Sequence, residues 1–325
     1  MKHKKWIAGL LALCLTAGLF ACAKPETAAD TVRLGALKGP TAMGMAKLLT
    51  DGDAGKTANA YTYQLAGAVD ELTPQLLQGT LDIVAAPANL GAVLYHKSQG
   101  AVQMLAINTL GVLYLVEKGE TVTDWGSLRG KTIIASGKGA TPEYCLDYLL
   151  RSNGLEPDKD VTIQWYGEHT ECVAQLAAQD GAIAMLPQPF VTVAQSKVEG
   201  LRIAMDLNAE WSRLQNGDGM LTGVLLVRRD FAQNHPEALQ TFLAEYAASV
   251  DYVNQNPVEA AQLIGGLGIV DAAVAEKAIP YCNIVCITGS DMQREATEYL
   301  NVLLELAPDS VGGSVPGEDF FCEAP

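Results

Sequence analysis

Basic side chains are scarce in this chain of 325 residues. Twenty-two Lys and Arg face 37 Asp and Glu, a formal net charge of −15. A nucleic-acid partner needs a basic footprint, and none is present. Histidine is also sparse, and His96, His169 and His235 are scattered. Cys282-x-x-x-Cys286 lacks the further ligands of a zinc site, so no metal is expected. Catalytic motifs are missing too. There is no Gly-x-Ser-x-Gly elbow, no His-Glu-x-x-His and no Walker loop. Gly130-Lys131-Thr132 has the ending of a P-loop but no glycine five positions earlier, and it precedes a strand. Gly265-Gly266-Leu267-Gly268 is a helix stop. An enzyme is not expected, and no cofactor is implied.

No apolar run is long enough to span a membrane. The N-terminal one, Trp6–Phe20, has about 15 residues. Preceded by Lys2, Lys4 and Lys5, it has the form of a signal peptide. It ends Leu19-Phe20-Ala21-Cys22, which resembles the lipobox of bacterial lipoproteins, in which the cysteine is lipidated. The expected division is a signal over 1–21, lipidation at Cys22 and a tether over 22–30. Without the signal's three lysines, 19 basic residues face 37 acidic ones, a net of −18. That charge also opposes electrostatic docking on a membrane surface, which leaves the lipid as the attachment. Five cysteines remain beyond Cys22: Cys145, Cys172, Cys282, Cys286 and Cys322. Their number is odd, so one is free if pairing is intramolecular. Cys145 and Cys172, near two helix starts, are candidates to meet. The set reads as packing or disulfide residues.

What is present is a repeat. Residues 32–94 and 132–194, aligned at an offset of one hundred without a gap, share 13 identities, where ordinary usage gives about four. Lys38-Gly39 and Thr41 fall on Lys138-Gly139 and Thr141. Gln64, Gly67 and Glu71 fall on Gln164, Gly167 and Glu171. Ile83 and Pro87 fall on Ile183 and Pro187. A unit of this length is too long for a solenoid and describes two similar lobes. Each copy alternates short apolar strands with helices, which predicts an α/β fold with parallel sheets covered on both faces. In the second copy Thr132–Ala135 meets a small-residue loop, and Thr141-Pro142-Glu143 opens a helix with a good cap, a proline in the first turn and an acid near the positive end. Apolar runs at Gly111–Val116 and Leu221–Val227 are the crossings between lobes. The lobes are therefore placed at 31–109 with 223–325, and at 110–222. After Val227 the chain is read as mostly helical, and Ser310–Pro325 as a tail along the surface.

The lipobox, the first strand running into Leu37-Lys38-Gly39-Pro40-Thr41, the Leu128-Arg129-Gly130-Lys131 lead-in, the two crossings and the ending Val311–Phe320 together resemble the substrate-binding proteins of ABC importers. The nearest group is the nitrate, sulfonate, taurine and thiamine-precursor class. Pro187-Gln188-Pro189 departs from it, since relatives often carry an acid before the second proline. The resemblance implies a periplasmic-binding-protein fold, two α/β lobes joined by hinge strands and closing on a small molecule. It implies an extracytoplasmic, membrane-anchored monomer that delivers its solute to a permease. A ligand-sensing receptor on the same fold and an extracellular enzyme are the alternatives.

Ligands of open α/β sheets sit beyond the carboxyl ends of the strands. In the first lobe those ends are Lys38, Gly39, Pro40 and Thr41, then Pro87 and Asn89, then Asn108 and Thr109. In the second they are Lys138, Gly139, Ala140 and Thr141, then Tyr166, Glu168 and His169, then Gln188 and Asp206. Trp165 and Tyr166 alternate along a strand, so only one faces the cleft. Glu168, His169 and Glu171 fit capping as well as acid–base chemistry, and Met43 and Met45 fit the core. Lys38 and Lys138 beside two helix starts would suit an anion. Glu168, Asp206 and Tyr166 in the cleft would suit a heteroaromatic ring with donor groups. The expected solute is small and polar, anionic or heteroaromatic.

Overall fold

A computed structural model describes residues 30–323. The signal segment, Cys22 and the tether up to residue 29 lie outside the described residues. No helix among the described residues is long and apolar enough to cross a membrane.

The strands are β1 Thr31–Leu37, β2 Ala60–Ala66, β3 Ile83–Pro87, β4 Val102–Leu110, β5 Leu113–Lys118, β6 Thr132–Ser136, β7 Thr162–Tyr166, β8 Ile183–Pro187, β9 Leu201–Asp206, β10 Leu221–Arg228 and β11 Ile284–Ile287. They form a six-stranded sheet, β11-β4-β10-β3-β1-β2, and a five-stranded sheet, β7-β6-β8-β5-β9. The fold is thus two α/β lobes. Both strand orders contain the same parallel triple with the first strand in the middle, β2-β1-β3 and β7-β6-β8. The central strands are buried on both faces. Along β10, Val224 and Leu226 enter one core while Leu225 and Val227 enter another. Such strands read as continuous apolar runs rather than alternating ones. The first of these cores also takes in Ile133 of β6 and Trp211, so apolar packing is continuous between the sheets.

Three expectations need correction. The sheets are mixed, not parallel: β10 runs antiparallel to β3 and β4, and β5 runs antiparallel to β8 and β9. A strand that arrives directly from the other sheet needs no helical crossover to reverse its direction. The repeat does carry a gap. Leu37 stands opposite Ala66, but Ser136 stands opposite Tyr166. The spacing is therefore 99 residues in the first strand and 100 in the second, and Gly137 (φ 89°) is the added residue. The region after Val227 is mostly helical, as expected, with one four-residue edge strand, β11. The expected helix over Thr41–Leu49 is interrupted as well. It comes as Pro40–Met43 and Ala46–Asp53. The break is at Gly44, where a Cβ would lie 2.9 Å from both Ile284 and the Tyr246 hydroxyl.

All five cysteines from Cys145 onward are free. Cys145 and Cys172 sit in separate cores and do not meet.

Glu117 on β5 is buried and fully bonded. It accepts from Thr121 N at 2.8 Å, Thr121 Oγ1 at 2.5 Å, Val122 N at 3.1 Å and Arg202 Nη2 at 2.5 Å. Burial alone would raise its carboxyl, but these bonds outweigh burial and hold it below its ordinary value of 4.5. Its stabilisation is therefore complete above pH 4.5 and is lost as pH falls through the depressed value. Glu117→Gln is expected to lower the urea midpoint at pH 7 and to flatten the acid side of the stability profile. An unchanged slope below about pH 4.5 would remove Glu117 from the acid response.

Candidate functional site

The carboxyl ends of the two parallel triples face a common cavity of about 640 Å³. Leu37 to Thr41 follow β1, and Pro87 to Asn89 end β3. Gly139 to Pro142 follow β6, His169 follows β7, and Pro187 to Phe190 end β8. The crossings add Val112–Leu113 and Met220–Thr222. This is where strand direction and helix placement leave an opening in any parallel α/β unit.

Of the expected residues, Lys38, Gly39, Pro40, Thr41, Pro87 and Asn89 line the cavity from the first lobe. Gly139, Ala140, Thr141, His169 and Gln188 line it from the second. Six others do not. Asn108 and Thr109 are fully buried behind the wall, where Asn108 Nδ2 donates to Thr41 O at 3.0 Å and Thr109 Oγ1 donates to Asn108 Oδ1 at 3.1 Å. They hold the Thr41 turn in place from behind. Lys138 is exposed and outside the cavity, because the extra residue, Gly137, lengthens its loop. Tyr166 packs against the apolar core of its own lobe. Glu168 is exposed outside the cavity, at the start of the helix His169–Ala178, where its N–H donates to Glu171 Oε2 at 3.3 Å. Asp206 caps the helix Leu207–Leu214, accepting from Asn208 N at 2.9 Å and Ala209 N at 3.1 Å. A side chain that must satisfy a helix start is not free for a solute.

Some lining residues were not anticipated. Asp309 and Ser310 come from the tail, which is more than a surface strap. The tail is tied down by Tyr95 Oη to Asp319 Oδ1 at 2.6 Å, His96 Nε2 to Ser314 O at 2.8 Å, and Cys322 N to Met104 O at 2.8 Å. Cys145 also lines the cavity; burial pushes its thiol up to about 12. Phe190 stands with its ring centroid 4.7 Å from that of His169. The sequence offered one pointer to Phe190, its place directly after the strand-end Pro187-Gln188-Pro189.

Two clusters set the chemistry. Ser136 Oγ lies 2.5 Å from His169 Nδ1. Burial pushes the imidazole below its ordinary value, with Glu168 opposing, which favours the neutral ring. Asn89 spans the mouth. Its Nδ2 donates to Ser310 O at 3.0 Å, and its Oδ1 accepts from Thr141 Oγ1 at 3.3 Å. It thereby joins the two lobes and the tail. Tyr114 Oη, donating to Tyr281 O at 2.7 Å, adds a second link across the lobes. Asn89→Ala should weaken the closed form by about 1 kcal/mol, roughly fivefold in its population. Small-angle scattering of the solute-free protein would show this as a larger radius of gyration. An unchanged radius would mean that Asn89 does not hold the lobes together.

Two α/β lobes with a cavity between their strand ends are the architecture of solute-binding receptors. The sequence model of the ABC-transporter phosphonate periplasmic substrate-binding proteins matches residues 56–274, and the chain belongs to that family. No curated protein sequence matches the chain. Solved structures share the fold. One, described as an ABC transporter from Parabacteroides distasonis, is 22% identical over 91% of this chain and 100% of its own, with a TM-score of 0.77. The periplasmic aliphatic sulphonate binding protein SsuA of Escherichia coli is 15% identical over 91% and 93%, with a TM-score of 0.70. The periplasmic nitrate-binding protein NrtA of Synechocystis is 12% identical over 87% and 84%, with a TM-score of 0.58.

Proposed function

We propose that the chain is the extracytoplasmic receptor of an ABC importer, a monomer that captures one small solute between its lobes and presents the closed form to a permease. The observation that supports this reading most is the cavity built from both sets of strand ends and bridged at its mouth by Asn89. A solute that touches both walls stabilises the closed arrangement, and closure is what a transporter can sense. The lobes are taken as 31–109 with 223–325, and 110–222. The test is solute capture followed by release without chemical change. Turnover of the captured compound would favour an enzyme instead.

We also propose a lipid anchor at Cys22, supported by the apolar segment ending Leu19-Phe20-Ala21-Cys22. Cys22→Ser should move the protein from the membrane fraction to the soluble one. Retention of the variant on membranes, with no fatty-acid labelling of the wild type, would remove the anchor.

A further inference from the structure

The cavity wall is unusually rich in proline. Pro40, Pro87, Pro142, Pro187 and Pro189 all line it, from 14 prolines in the chain. Four of them stand at helix starts. Pro40 opens the helix Pro40–Met43, and Pro142 is second in Thr141–Ser152. Pro87 and Pro189 are the residues just before the helices Ala88–Lys97 and Phe190–Lys197. Oxyanions are gripped by the free N–H groups of helix starts. Proline has no N–H, and its ring places CH groups where such a donor would stand.

The remaining charges also disfavour an anion. The Gly139 N–H already donates to Glu143 Oε2 at 2.5 Å, so a carboxylate sits at the start of Thr141–Ser152. The lining contains no arginine. Its one lysine, Lys38, is matched by one acid, Asp309, and burial favours the neutral form of His169. The wall offers flat faces instead, in the pyrrolidine rings and the Phe190–His169 pair.

Two buried donors on the wall are left over, the Ser310 hydroxyl and one on Gln188. Gln188 is 2% exposed. Its Oε1 accepts from Thr192 Oγ1 at 2.9 Å and Thr192 N at 3.4 Å. A backbone N–H can only donate, so the amide oxygen must face Thr192. That leaves Nε2 buried and without a partner. A buried donor without an acceptor is costly, and a bound molecule can remove the cost.

We propose that the cavity takes an uncharged, flat, ring-bearing solute with a hydrogen-bond acceptor that Gln188 Nε2 reads, and that it rejects phosphonates, sulfonates and other oxyanions. This rests on the cavity being the solute site. It separates the chain from what the family description suggests.

The test is to incubate the purified protein with a small-molecule extract of rich growth medium, remove unbound material, and identify what is retained by native mass spectrometry. Methylphosphonate, ethanesulfonate and nitrate are assayed in parallel by calorimetry. The expected result is a neutral ring compound whose affinity changes by less than about twofold between low and high salt. Gln188→Leu should weaken that compound at least about tenfold, the loss of one buried donor–acceptor pair. Gln188→Glu, which keeps the acceptor for Thr192 and removes the donor, should do the same and guards against misfolding of the first variant. Retention of an oxyanion, or a ring compound indifferent to both variants, would overturn the proposal and leave the receptor reading standing. Retention of nothing, with no response to the three anions, would overturn both.

Discussion

Trp211→Ala should destabilise the protein by about 3–5 kcal/mol, the cost of deleting a large aromatic side chain from a close-packed core. Trp211 is 1% exposed. Its ring centroid lies 4.8 Å from that of Tyr148 and 5.4 Å from that of Tyr299. The three rings come from different places: the helix Thr141–Ser152 of the second lobe, the helix Leu207–Leu214 on the returning crossing, and the helix Gly289–Leu306 near the end of the chain. Removing the central ring leaves a void that no single element can collapse to fill. The crossing also loses its anchor, so the two lobes should unfold less cooperatively. Urea denaturation followed by circular dichroism measures both effects, as a lower midpoint and a smaller slope. A loss under about 1 kcal/mol would show that the aromatic cluster repacks.

Gly223→Val should cost about 3 kcal/mol and distort the cavity from behind, the upper end of what overpacking a full core costs. Gly223 lies in β10, opposite Pro87 on one side and Thr109 on the other. A Cβ there would lie 2.4 Å from Thr41 Cγ2 and 2.5 Å from Asn108 Oδ1. Neither neighbour can retreat easily. Asn108 holds the Thr41 carbonyl, and Thr41 Oγ1 donates to Leu37 O at 2.8 Å. The strain therefore passes to the turn that lines the cavity. The expected outcome is a lower denaturation midpoint together with lost solute retention. Wild-type retention in a destabilised variant would show that the Thr41 turn tolerates displacement.

Much of the fold was legible because the two lobes repeat small, turn-forming residues at fixed positions. Lys38-Gly39 and Lys138-Gly139 mark two strand ends from sequence alone. The same identity concealed Gly137. The inserted residue lies just before the matched pair, so an ungapped alignment hides it, and only strand pairing exposes the shift. The cavity wall was legible where strand ends form it, as at Thr41, Asn89 and Gln188. It was not legible where a polar side chain chose the backbone over the cavity, as Asp206 does at a helix start. Nor could local pattern show that Asp309 and Ser310 return to a wall begun at Leu37. The short strand β11 was hidden among helices, since four apolar residues carry no period.

That returning wall has a kinetic side. Asn89 and Ser310, hydrogen-bonded across the mouth, are 221 positions apart in the chain. Cys322 bonds beside Met104, within the strand that leads to the first crossing. Contacts so distant in sequence pay a large loop-closure entropy before they return any energy, and they form late. Each lobe can assemble its parallel triple from nearby segments, whereas the mouth must wait for the tail to dock. The Asn89–Ser310 contact is therefore expected to form at the end of folding. A chain stalled before that step has both sheets and an unlinked cavity wall, so on the receptor reading proposed above bound solute would mark molecules that have folded to completion.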